Sequence, residues 1–129
     1  MLMITKKQRP KNLNLLKIHQ PVTAVVSILH RVSGVILFLF IPLLIYALAY
    51  SLSSESNYSQ LQQAISSSLI KWLTLPVVFA LVHHLFAGIR FLLLDLDIGV
   101  ALKPARTSAW LVFVALILFI IVYLVMVMA

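Results

Sequence analysis

Three stretches without a charged side chain, residues 32–54, 72–89 and 107–129, constrain this chain more than any other feature. Each approaches or exceeds the roughly 18–20 residues that an α-helix needs to cross a hydrocarbon core about 30 Å thick. Within that core each backbone N–H and C=O has to be satisfied inside the segment, and a helix does this. The pattern predicts an all-α integral membrane protein, read as a single domain over 1–129. Its three transmembrane helices are expected at about 24–50, 67–93 and 107–128.

Composition excludes the competing classes. Of 129 residues, 63% are apolar and 10% charged, and the mean hydropathy is +1.11. Such a chain is neither disordered nor collagenous. A water-soluble monomer of this size has too little interior to hide that much apolar surface. The absence of cysteine removes disulfides, iron–sulfur ligation and thiol chemistry from this chain.

The net charge of +7 invites a nucleic-acid reading, and the placement of the charges opposes it. A nucleic-acid binder gathers its cations on one exposed face with aromatics to stack bases. Here the basic residues flank the apolar spans. Lys6, Lys7, Arg9, Lys11 and Lys17 precede the first span, and Lys103 and Arg106 lie between the second and third. The 51–66 loop has Glu55 and no basic residue. The positive-inside bias therefore puts a basic tail, 1–23, and the 95–106 loop in the cytoplasm, with 51–66 on the far side.

The first span has a basic head and an Ala47-Leu48-Ala49 sequence that resembles a cleavage site. Its apolar run is longer than a signal peptide's core, and two further spans follow, so it is read as retained. Tyr46, Tyr50, Tyr58, Trp72, Trp110 and Tyr123 fall where an interfacial aromatic belt belongs. Pro42 and Pro76 lie inside spans, where a membrane helix tolerates them as kinks.

Ionisable residues inside a span are costly and point to function. Two groups occur. Ser27, Arg31 and Gly34 recur at i, i+4, i+7, so they form one helical stripe, with His30 beside it. A hydroxyl and a guanidinium one turn apart suit a small polar oxygen such as a carbonyl; a snorkelling arginine is the simpler alternative. The second group is His83-His84 with Gly88, Arg90 and Asp95. Adjacent helical histidines point about 100° apart and cannot serve one metal ion from the same side. His84, Gly88 and Asp95 share one face, and His83 and Arg90 share another. His84 is readable as an axial haem ligand with Gly88 leaving room for the macrocycle, or as a histidine hydrogen-bonded to a neighbouring helix. A haem here needs its second ligand from another chain, because His30 is the one other conceivable candidate.

These groups carry a resemblance. Arg9-Pro10 followed by Ser27-Ile28-Leu29-His30-Arg31-Val32-Ser33 resembles the N-terminal signature of the succinate dehydrogenase cytochrome b membrane-anchor family. His84-Leu85-Phe86-Ala87-Gly88-Ile89-Arg90, followed by Asp95, resembles its second signature. The likeness extends over essentially the whole chain, with departures at Leu94 and Asp97. It implies a helical bundle shared with a second, smaller anchor subunit. It implies that His84 is an axial ligand of haem b, paired with a histidine of that partner. Ser27 and Arg31 are implied as ubiquinone-binding residues, and His30 and Arg31 as contacts to the haem propionates. His83 has no role in the signature and is read as structural. The flavoprotein and iron–sulfur subunits are implied as further partners, and the chain is then a non-catalytic anchor. The location implied is the bacterial inner membrane, rather than the mitochondrial one, with a cytoplasmic N-terminus. A small transporter subunit and a cofactor-free assembly protein are the rival classes. Neither explains the two signatures together, and a reduced-minus-oxidised optical spectrum separates all three.

Overall fold

The computed structural model describes residues 18–128, so most of the basic tail, with Arg9 and Pro10, lies outside the described residues. The chain forms four helices: α1 (Val22–Ser53), α2 (Glu55–Ser66), α3 (Ser68–Asp95) and α4 (Leu102–Met128). Three of them, α1, α3 and α4, are long and apolar enough to cross a membrane. At 1.5 Å per residue, α1, with 32 residues, is about 48 Å long and extends beyond the hydrocarbon core. Pro42 and Pro76 sit within continuous α1 and α3.

The expected first and second spans match α1 and α3 closely. The third begins earlier than expected, at Leu102, because Pro104 falls in the first turn of α4, where its missing N–H costs nothing. The larger difference is at 51–66. This segment, expected as a loop, carries the separate helix α2, and α3 starts at Ser68. Ser54 caps α2 by accepting from the Asn57 N–H at 3.1 Å. Its end coincides with Ser66-Ser67-Ser68, whose hydroxyls compete for the backbone: Ser67 Oγ donates to Ala64 O at 2.7 Å. Tyr50 donates to Gln60 Oε1 at 2.9 Å and ties α2 back to α1.

The core is small and lies where α1, α3 and α4 meet. It consists of Val26, Ala87, Ala109 and Val112, with Val22, Phe86, Phe91 and Phe113 packed around it. Alanines at the crossings let helices approach closely, as expected where lipid gives no hydrophobic drive between them. Most large apolar side chains instead face outward, Phe38, Leu44 and Leu118 among them. That inversion suits lipid as solvent.

The helix ends are finished by identifiable contacts. Lys71, in the first turn of α3, donates from Nζ to Val127 O at 3.2 Å, in the last turn of α4. A cation there meets the negative end of the α4 dipole. Thr74 and Tyr123 hydroxyls meet at 3.3 Å beside it. At the other end, α3 stops in a Schellman turn. Ile98 N–H donates to Leu93 O at 2.9 Å and Asp97 N–H to Leu94 O at 3.0 Å. Asp97 takes the left-handed conformation, φ 60°, that this turn requires.

Candidate haem and quinone site

The interior face of α1 is set by Val26 and Ser33, both buried, with half-buried His30 between them. The Ser27–Arg31–Gly34 stripe lies to one side of that face. Gly34 is at its inner edge, Ser27 is half-buried and Arg31 is exposed. Among the described residues neither Ser27 nor Arg31 makes a side-chain hydrogen bond.

His84 of α3 meets α1 at Gly34. A Cβ on Gly34 would come within 3.1 Å of His84 Cε1, so the glycine is what admits the ring. The imidazoles of His30 and His84 stack with centroids 4.1 Å apart and planes 9° from parallel. Phe91 closes the other side of His30 at 5.2 Å. On Gly88, a Cβ would have His30 Nε2 as its near neighbour at 3.5 Å. The space that the sequence suggested for a macrocycle is therefore where the His30 ring packs.

The protonation of His84 follows from its partners. Its Nδ1 is 3.1 Å from the His30 carbonyl and 3.2 Å from Ser33 Oγ. Ser33 uses its own hydrogen on the same carbonyl at 2.8 Å. The His30 carbonyl can only accept, so this contact suits the tautomer with its hydrogen on Nδ1, which would leave the Nε2 lone pair available. Nε2 is then free to bind a metal, and the opposite nitrogen donates to a carbonyl in the way that orients metal-ligating histidines.

His83 turns the other way. It is 1% exposed, between Phe79 and Phe113, and neither ring nitrogen has a hydrogen-bond partner among the described residues. Arg90, on the same face, is also buried; it donates from Nε to Ser108 Oγ at 3.0 Å and from Nη2 to Ala105 O at 3.2 Å. The shared face of His83 and Arg90, expected from their spacing, is the α4-facing side of α3. The sequence places Ser33 in the first polar group and in the N-terminal signature without giving it a role. Its signal was the i+3 spacing from His30, which lets a serine hydroxyl reach back to that carbonyl.

A cleft of about 460 Å³ opens between the start of α1 and α4, lined by His19, Gln20, Val25, Arg106, Trp110 and Phe113. Neither Ser27 nor Arg31 lines it. Among the described residues no group of three or more His, Asp or Glu side chains is placed to hold a bare metal ion.

Fold and site together define a multi-pass helical membrane subunit with a half-buried, stacked histidine pair at a helix crossing. Residues 5–123 match the family described as succinate dehydrogenase/fumarate reductase transmembrane subunit. The succinate dehydrogenase cytochrome b556 subunit of Coxiella burnetii is 43% identical over 108 residues, which are 83% of this chain and 86% of that one. The corresponding subunit of Rickettsia prowazekii is 35% identical over 104 residues, 80% of this chain and 81% of that one. That of Rickettsia bellii is 34% identical over 105 residues, 81% and 82% of the two chains. This chain belongs to the succinate dehydrogenase cytochrome b membrane-anchor family. In that family the anchor is the membrane part of the complex and is not itself the dehydrogenase.

Proposed function

We propose that this chain, as one membrane-anchor domain, holds a b-type haem through His84 and helps to form the site where ubiquinone takes up electrons from succinate. The second axial ligand comes from a histidine of a smaller partner anchor, and the iron–sulfur and flavoprotein subunits dock on the cytoplasmic side. The bacterial inner membrane is the location, with the N-terminus and the 95–106 loop cytoplasmic, as the distribution of Lys and Arg supports.

One observation carries the reading: His84 Nδ1 lies 3.1 Å from His30 O and 3.2 Å from Ser33 Oγ, and a hydrogen on Nδ1 directed at these oxygens would leave Nε2 to a metal. A single imidazole suits a haem, which would bring its own four ring nitrogens to the iron, better than a bare ion. His30 is not arranged as the opposite ligand. Its ring stacks directly on His84, 4.1 Å apart, with no space between the two for another group, so it would not hold the same haem from the opposite side. The residues present therefore fit a haem shared between two chains. Bound there, such a group supplies one-electron storage beside the quinone.

The chain's own residues then divide the remaining work. His30, stacked on His84, and exposed Arg31, the next residue of α1, supply hydrogen-bond donors and a cation to carboxylates such as the propionates. Ser27 and Arg31, one turn apart, donate to a quinone carbonyl and stabilise negative charge on it as it is reduced. Their place near the cytoplasmic end of α1 keeps protons within reach. The exposure of Arg31 in the lone chain supports a site completed by other subunits.

The test is a reduced-minus-oxidised spectrum of the purified complex. His84→Ala is expected to lose or disturb the b-type bands, and His83→Ala to keep them. The reverse pattern would assign the ligand to His83 and overturn the reading.

A further inference from the structure

Ser33 is buried and polar, and beyond its contact with His84 the sequence signature gives it no task. Its hydroxyl spans two helices. It donates to His30 O at 2.8 Å within α1 and lies 3.2 Å from His84 Nδ1 of α3. Because its hydrogen is already committed to the carbonyl, the oxygen faces His84 as an acceptor. The next residue, Gly34, provides the space. His84 Cε1 lies where even a methyl group would be 3.1 Å away, tighter than nine in ten real contacts of that kind, so the ring would have to give way. One side of the His84 ring is thus fixed by a hydroxyl and a carbonyl, its face by His30 at 4.1 Å, and its approach by a missing side chain.

We propose that Ser33 and Gly34 form a positioning device for His84: Ser33 sets the ring's orientation and electron density by accepting from Nδ1, and Gly34 sets its depth against α1. This inference rests on the haem reading above. An acceptor on the hydrogen of a ligating imidazole makes the ring a stronger electron donor to its metal. Ser33 therefore holds the reduction potential of the bound group lower than the carbonyl alone would. Gly34 acts differently, because a side chain there displaces the ring without removing a hydrogen bond.

The experiment uses the assembled complex with Ser33→Ala, Ser33→Thr, Gly34→Ala and His84→Ala, read by redox titration and by the low-field electron paramagnetic resonance signal of the oxidised haem. Ser33→Ala is expected to raise the midpoint potential and move the low-field signal. Ser33→Thr, which keeps the hydroxyl, should restore both. Gly34→Ala is expected to move the low-field signal, since that signal reports ligand orientation. If His84→Ala abolishes the spectrum while Ser33→Ala and Gly34→Ala leave both readouts at the parental values, the positioning role is overturned and the haem reading stands. If His84→Ala keeps the parental spectrum, the haem reading itself fails. Should Gly34→Ala prevent assembly, the Ser33→Ala and Ser33→Thr pair decides alone.

Discussion

His83 and His84 are consecutive in sequence and end in opposite environments. His84 has its Nδ1 engaged at the α1 crossing, and His83 is sealed between Phe79 and Phe113 with both nitrogens unpartnered among the described residues. The cause is the roughly 100° turn between neighbouring helical positions. An unpaired buried polar group costs about 1–3 kcal/mol. His83→Phe removes that cost in a slot already walled by aromatic rings. We expect the thermal stability of the complex to hold or rise and the optical spectrum to persist. A clear fall in stability would show that the ring has a polar partner contributed by another chain.

Asp97 occupies the left-handed position of the turn that ends α3. Aspartate tolerates this conformation better than most residues, but glycine adopts it freely. Asp97→Gly should therefore stabilise the α3–α4 turn, or at worst leave it unchanged, by up to about 1 kcal/mol. Thermal unfolding in detergent, compared with Asp95→Gly inside the helix, checks this. Asp95→Gly is expected to destabilise by a similar amount.

Arg90 is a buried guanidinium held by two oxygens of α4. Its planar fork reaches Ser108 and Ala105 together, which a lysine ammonium does not reproduce. Ser108→Ala leaves Nε unpaired and should cost about 1–3 kcal/mol. Arg90→Lys is expected to be at least as damaging. The measurement is the half-life of assembled complex at raised temperature. Equal half-lives for parental and both variant forms would remove this contact from the stability of the bundle.

The spans were legible because charge is excluded from hydrocarbon, and 32–54, 72–89 and 107–129 carry none. The order of the two signatures and the face shared by His83 and Arg90 were legible from helical spacing. What spacing cannot give is how two helices cross. The His30–His84 stack, Ser33's second contact and Gly34's close approach all depend on the register of α1 against α3. For the same reason the Ser27–Arg31–Gly34 stripe was a correct helical face but not the buried one; Val26 and Ser33 are buried instead. The separation of α2 from α3 was not legible, because the serines flanking α2 read as loop, although Ser54 acts as its cap.

Topology is tested at α2. Ser56 is exposed there, and the chain has no cysteine, so Ser56→Cys gives this subunit a single thiol. We expect a membrane-impermeant maleimide to label it from the periplasmic side and not in sealed inverted vesicles. Labelling first in inverted vesicles would reverse the orientation argued from Lys and Arg placement.

The stripe of Ser27 and Arg31 makes the most direct functional prediction. Both lie near the N-terminal end of α1, one turn apart. Arg31 is exposed and Ser27 half-buried, so each is available to a bound molecule or a neighbouring subunit. A hydroxyl and a fixed cation directed at a quinone carbonyl act most strongly as negative charge builds on it. Removing one such donor typically costs about 10²–10³ in rate. Ser27→Ala is the cleaner variant, because it deletes one small polar group with little change in volume. Arg31→Leu removes a charge that the proposal also directs at haem propionates, so its optical spectrum has to be recorded alongside its rate. Both variants are expected to depress quinone reduction by assembled complex. Succinate oxidation with a soluble artificial acceptor should survive in both, because the succinate site belongs to other subunits. The two activities, measured side by side, separate a quinone-site defect from failed assembly, which lowers both. Unchanged quinone reduction in Ser27→Ala and Arg31→Leu would take these residues out of the site and leave Arg31 as a cation reaching for the headgroups.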